Sequence, residues 1–209
     1  MPKPHLVIGN KNYSSWSLRP WIAMKVFGIA FDEKRILLDR PDTKQEILRH
    51  SPAGKVPCLV DGPLAVWDSL AILEYLAERE PRLWPADRAE RARARSISAE
   101  MHAGFAALRQ NMGLNVRKRY PGRGRTPEAL EDIRRIDAIW SQAKGPFLFG
   151  PFTAADAMYA PVVLRFRTYD VRVSNRDYLE AMLALPAMKE WIEAAEREPE
   201  SIPQYDLAE

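Results

Sequence analysis

Three short stretches of this 209-residue chain hold residue types that could do chemistry at spacings that matter. The first is Tyr13-Ser14-Ser15-Trp16-Ser17. Here a short apolar strand, His5 to Gly9, gives way through the polar loop Gly9-Asn10-Lys11-Asn12 to Ile22, Ala23, Val26 and Phe27 at helical spacing. Ser14 or Ser15 is a natural helix N-cap. A hydroxyl at that point can also donate a hydrogen bond to an anion held against the positive end of the helix. The second stretch, Lys55-Val56-Pro57, leads into an apolar strand, and the third, Asp68-Ser69, sets an acid and a hydroxyl at a helix start. Dithiol exchange is excluded, because Cys58 is the single cysteine. Inside an apolar strand it reads as inert core rather than nucleophile. His5, His50 and His102 are scattered without metal-ligand spacing, so no metal site is expected.

The elements that must position these residues follow from periodicity and punctuation. Asp32 to Leu38 reads as a second strand and Thr43 to His50 as a short helix. Ser51-Pro52-Ala53-Gly54 turns the chain into a hairpin, with Cys58 to Val60 and Leu64 to Trp67 as strands around Asp61-Gly62. A helix from Asp68-Ser69 runs to about Arg79, with Leu70, Leu73, Leu76 and Ala77 on one face. Pro81 and Pro85 then break the pattern, so residues 80–87 are read as a linker between an N-terminal unit, 1–79, and an all-helical unit, 88–209. The second unit starts with one long helix, Ala89 to about Val116, carrying Ile97, Met101, Phe105 and Leu108 as a stripe. The basic loop Arg117 to Arg125 reads as mobile and solvated. Thr126-Pro127-Glu128 opens a helix that stops at Gly145. Thr153-Ala154-Ala155-Asp156 is a capping-box pattern ahead of a buried helix to Tyr169. Helices at Arg176 to Leu183 and Pro186 to Arg197 precede a polar tail.

Composition narrows the function classes. At 46% hydrophobic residues the chain can bury a full core. A net charge of +3, without an aromatic platform, argues against nucleic acid. No apolar run approaches the ~20 residues of a membrane helix. The first residues lack the apolar core of a signal peptide. A cytoplasmic protein without membrane attachment is the expectation.

Strand, helix, strand, short helix, hairpin, helix is the order of a thioredoxin-like domain. The serine motif, the Val56-Pro57 turn, the Asp68-Ser69 pair and the Thr153 to Asp156 box, in that order, resemble the glutathione transferases over essentially the whole chain. The resemblance implies an α/β thioredoxin-like N-terminal domain plus an all-α C-terminal domain, a homodimer, and glutathione as co-substrate without a metal. It further implies attack of the glutathione thiolate on a small, largely apolar electrophile, as in detoxification. Ser-Ser-x-Ser followed by Arg19 is similar to the zeta-class pattern, which places the activating hydroxyl on Ser14, with Ser15 as the main rival and Tyr13 as another. Trp16 stands where that class has cysteine. A free thiol has a pKa near ~8.5, so a donated hydrogen bond raises the thiolate population at neutral pH.

By the same resemblance, Pro57 follows a cis bond that turns the Val56 backbone toward the cysteinyl part of glutathione. Asp68 and Ser69 take the γ-glutamyl group. Lys55 is preferred over Lys44 and Arg40 for the glycine carboxylate. The second substrate is expected against the long helix, at Met101, Phe105, Leu108 and Arg109. Alternatives of the same fold are a glutathione-dependent isomerase of the maleylacetoacetate type and a non-catalytic binding or stress-regulatory protein.

Overall fold

The computed structural model describes residues 3–206; Met1, Pro2 and the last three residues of the polar tail lie outside them. A four-stranded sheet in the order β2-β1-β3-β4 forms one layer. It is built from β1 (His5–Ile8), β2 (Asp32–Arg35), β3 (Cys58–Asp61) and β4 (Leu64–Trp67). β2 runs parallel to β1, pairing His5 with Asp32. β3 is antiparallel to β1 through Leu6 and Leu59, and β4 closes the hairpin against β3. The hairpin turn places Gly62 at φ +60°, a conformation that costs glycine little. β1 is apolar and inaccessible from Leu6 to Ile8, whereas β2 is Asp-Glu-Lys-Arg and exposed throughout. The charged edge strand stops at Arg35, three residues short of the expected end.

Three helices complete this layer: α1 (Ser15–Val26), α2 (Thr43–Leu48) and α3 (Ser69–Ala77). α1 lies between the sheet and the helical half, so Leu18, Trp21, Ile22, Ala23 and Met24 are all buried. Pro20 sits at the sixth helical position of α1, beyond the first turn where a proline is best tolerated.

The helical half contains α4 (Arg88–Ala103), α5 (Ala106–Asn111), α6 (Pro127–Trp140), α7 (Ala154–Tyr169), α8 (Arg176–Ala184) and α9 (Pro186–Arg197). α7 is its axis: fifteen of its residues are buried, and it packs along both α1 and α4. Trp140 at the end of α6 contacts Tyr159, Phe166 and Tyr178 in the same core. No helix among the described residues is long and apolar enough to cross a membrane.

Two expectations are corrected. The single long helix from Ala89 to Val116 is instead α4 and α5. Phe105 adopts a left-handed conformation, φ +58°, and the Gly104 N–H closes α4 on the Glu100 carbonyl. The apolar stripe continues across the break, which is why periodicity alone did not reveal it. The basic loop is docked through Arg117 and Tyr120, whereas Lys118, Arg119, Arg123 and Arg125 are exposed as expected. The Arg117 N–H donates to Asn12 Oδ1, and its guanidinium donates to the Tyr13 hydroxyl and the carbonyls of Glu198 and Glu200. Tyr120 is buried, and its N–H donates to the Thr168 carbonyl.

The same contacts tie the serine loop to the C-terminal segment. The buried Glu198 carboxylate accepts from the N–H groups of Lys11 and Asn12, at 2.8 and 3.0 Å. It also pairs with Arg35. A tail that reads as polar in sequence thus fixes the loop ahead of α1.

Candidate functional site

Ser14 occupies the N-cap of α1, yet its side chain makes no capping bond. Its hydroxyl instead lies 2.7 Å from the Ser17 hydroxyl, and Ser17 Oγ accepts from the Gly9 N–H at 3.1 Å. Gly9 is needed for this approach: a Cβ there would lie 3.1 Å from the Ser14 Cβ and 2.7 Å from Leu38. With the Ser17 proton directed at Ser14, donation runs from Gly9 through Ser17 to Ser14 and leaves the Ser14 proton for an external acceptor. Such chains polarise each member in turn. Ser15, one residue on, accepts from the Arg165 guanidinium at 3.2 Å. Its proton is likewise left over.

Two adjoining cavities meet at Trp16, Lys55 and Val56. The first, about 640 Å³, is lined by Trp16, Ala53, Lys55, Val56, Pro57, Trp67, Asp68, Ser69 and His102. It therefore collects all five residues that the resemblance assigns to glutathione. The Val56–Pro57 bond is cis. Asp68 holds φ +74° and caps α3, its Oδ1 accepting from Leu70 and Ala71. The other carboxylate oxygen faces His102 Nε2 at 3.2 Å. Ser69 is buried and accepts from Arg19 at 3.3 Å, so its own proton remains available. An ammonium suits Asp68, and a carboxylate suits Ser69 with the α3 N-terminus. Arg40 and Lys44 line neither cavity, whereas Lys55 lines both.

The second cavity, about 430 Å³, holds the serines. Tyr13, Leu38, Ile47, Leu114 and Tyr205 supply apolar surface, and Lys55, Arg109 and Arg165 supply charge. No carboxylate lines it among the described residues. Trp16 separates the two cavities, with the Arg19 guanidinium 4.2 Å from its ring centre and that of Arg109 at 5.4 Å. His102 meets its edge. Burial first, and then the charges of Arg109 and Arg165, pull the Arg19 guanidinium below its ordinary value. It stays charged at neutral pH.

Of the residues expected at the second substrate, Arg109 alone lines either of these two cavities. Met101, Phe105 and Leu108 are buried in the core, because the α4–α5 break turns that stripe onto α6 and α7. Tyr13 is also committed elsewhere. Its hydroxyl donates to Asp206 and accepts from Arg117 and the Ile202 N–H. Replacing Tyr13 with Phe is therefore expected to cost ~1 kcal/mol of stability in urea unfolding while leaving thiol chemistry at the serines intact. A collapse of that chemistry in a folded Tyr13→Phe variant would restore the phenol as a rival. Cys58 is fully buried, its thiol donates to the His50 carbonyl, and burial pushes its pKa up. It is no nucleophile here.

Trp67, His102, Arg165 and Tyr205 line the cavities without having been foreseen. Arg165 did leave a signal, as a charge within the otherwise apolar Val162-Val163-Leu164-Arg165-Phe166 of a buried helix. For His102 and Tyr205, sequence offers none.

Residues 13–79 match the profile of the glutathione S-transferase N-terminal domain, and residues 87–194 that of the glutathione S-transferase C-terminal domain. The chain is 31% identical to a maleylacetoacetate isomerase of Rattus norvegicus over 201 residues, covering 90% of this chain and 91% of that protein. A probable maleylacetoacetate isomerase of Caenorhabditis elegans is 27% identical over 179 residues, covering 82% and 83%. Among solved structures, a Burkholderia glutathione transferase homolog with bound glutathione superposes with a TM-score of 0.71 at 22% identity, covering 93% of this chain and 98% of that one.

Proposed function

The chain belongs to the glutathione S-transferase family, and on that premise we propose that it binds glutathione along Lys55, Val56, Pro57, Asp68 and Ser69 and activates the thiol with the Ser14 hydroxyl. The observation that carries this reading is the placement of all five binding residues around one cavity that opens, at Val56 and Lys55, onto the serines. The γ-glutamyl ammonium pairs with Asp68, and its carboxylate takes the Ser69 hydroxyl at the positive end of α3. Val56, before the cis proline, offers its backbone to the cysteinyl unit, and Lys55 faces the glycine carboxylate. The thiol is thereby delivered to the N-terminus of α1. The thiolate then attacks an electrophilic carbon of the second substrate, without a covalent enzyme intermediate.

The lining of the second cavity favours a particular electrophile. Besides the Lys55 given to glutathione, Arg109 and Arg165 line it, and no carboxylate does so among the described residues, so an acceptor bearing its own carboxylate fits better than a wholly apolar one. That gives weight to the isomerase reading suggested by the names of the relatives. In it the thiolate adds to a conjugated carbon, the bond rotates, and elimination returns glutathione unchanged. Trp16 in place of the zeta-class cysteine sets this chain apart from that pattern. The working unit is taken as a cytoplasmic homodimer on family grounds.

Calorimetric titration of glutathione into wild type and Ser69→Ala tests the binding half of this reading. The variant is expected to bind 10- to 100-fold more weakly, the range for losing a hydrogen bond to a charged group of ~1.5–3 kcal/mol. No binding to wild type at millimolar glutathione would point to a scaffold without turnover. Recovery of unchanged glutathione alongside isomerised substrate would separate the isomerase from the transferase.

A further inference from the structure

Arg165 sits in the middle of α7, in the helical half, and its side chain is buried but for its edge on the serine cavity. One nitrogen donates to the Met112 carbonyl and the other to Ser15 Oγ at 3.2 Å. Arg19 and Arg109, its neighbours in charge, each feel a carboxylate, Asp68 and Asp132 respectively. Arg165 has no carboxylate partner among the described residues. The charged groups that act on it are two further cations, Arg109 and Arg19. A buried cation without a counter-ion is strongly disfavoured unless an anion arrives to share its site. The site it faces is the cavity of Ser14 and Ser15.

We propose that Arg165 is a positioning residue for thiol activation: through Ser15 it supplies the helical half's positive charge to the glutathione thiolate formed beside Ser14. The inference rests on the glutathione reading above. The guanidinium N–H fixes the Ser15 oxygen as an acceptor, so the Ser15 proton turns outward toward the sulfur and becomes a second donor beside Ser14. The guanidinium's charge, poorly screened where it is buried, favours the ionised thiol further. The N-terminus of α1 acts in the same direction. The nucleophile is thereby made dependent on docking between the halves, since the binding cavity lies mainly on one and this cation on the other.

The test is the pH midpoint of thiolate absorbance of bound glutathione, beside binding of S-methylglutathione, which has no thiol to ionise. In Arg165→Met the midpoint is expected to rise by about one pH unit, a tenfold loss of thiolate at neutral pH. S-methylglutathione affinity should stay within about threefold. Arg165→Lys, which keeps a charge, is expected to recover part of the shift. Ser15→Ala should raise the midpoint in wild type and add little in the Arg165→Met background, the mark of two residues acting as one. A folded Arg165→Met with an unmoved midpoint overturns the proposal. Should that variant fail to fold, an unmoved midpoint in Ser15→Ala overturns it as well. Absence of S-methylglutathione binding by wild type would instead bring down the glutathione reading on which it rests.

Discussion

Replacing Ser14 with alanine is expected to leave glutathione bound but to remove most of its thiolate absorbance at neutral pH, with turnover falling about 10²-fold. The size follows from deleting one preorganised donor aimed at developing negative charge, which in water-excluded sites costs ~3 kcal/mol. The Ser14 hydroxyl meets the requirements of that role. It is 7% exposed and lines the cavity where the two binding surfaces meet. Its side chain is not used to cap α1. Its only hydrogen-bond contact among the described side chains is Ser17, which is itself held by the Gly9 N–H. Ser17→Ala should therefore show a milder form of the same defect, since Ser14 would keep its place but lose the group that orients its proton. An order of effects Ser14→Ala, then Ser17→Ala, in thiolate absorbance at constant glutathione affinity is the expected result. Full thiolate absorbance in Ser14→Ala would transfer the direct role to Ser15.

How far the sequence carried towards this site depended on whether a residue's role is local. The α3 start was legible because Asp68 and Ser69 are adjacent and act through the backbone that follows them. The hairpin was legible from Asp61-Gly62 between apolar runs, and the start of α6 from Thr126-Pro127, whose hydroxyl does accept from Ala129. What could not be read is set by distant packing. Met101, Phe105 and Leu108 have the spacing of a wall and the burial of a core, and a left-handed Phe105 decides between them. Arg117 looked solvated because its partners, Tyr13 and the carbonyls of Glu198 and Glu200, lie over 80 residues away. Two of the three cations of the second cavity, Arg109 and Arg165, come from α5 and α7, and only folding places them beside a serine on α1. Of the three, Arg165 is the one that the expectation of a largely apolar acceptor left out, for that reason.

The largest effect on stability is expected from Asp156, which organises the start of α7 and through it both halves. Its carboxylate is fully buried and accepts from the Thr153 N–H at 2.8 Å, the Thr153 hydroxyl at 3.0 Å and the Leu148 N–H at 2.9 Å. Asp156→Ala strands those donors in a closed core. At ~1–3 kcal/mol for each unsatisfied buried group, partly relieved by relaxation, the loss is expected to be about 3–5 kcal/mol. That is a large share of the ~5–15 kcal/mol that holds a domain together. Asp156→Asn retains one acceptor oxygen and should lose less. The two variants also report on charge. Burial pushes the Asp156 carboxyl up to about 6 from the ordinary 3.8, against the pull of its donors. The folded chain therefore holds this proton more tightly than the unfolded one. The stability linked to it is fully present below pH 3.8 and is lost as pH rises through about 6. Urea unfolding of wild type and Asp156→Asn between pH 4 and 7 is thus expected to show wild type losing ground to the variant as pH rises, then running parallel to it. Wild type gaining on the variant over that window would mean that the three donors outweigh burial and that the carboxylate, not the acid, is the form the fold selects.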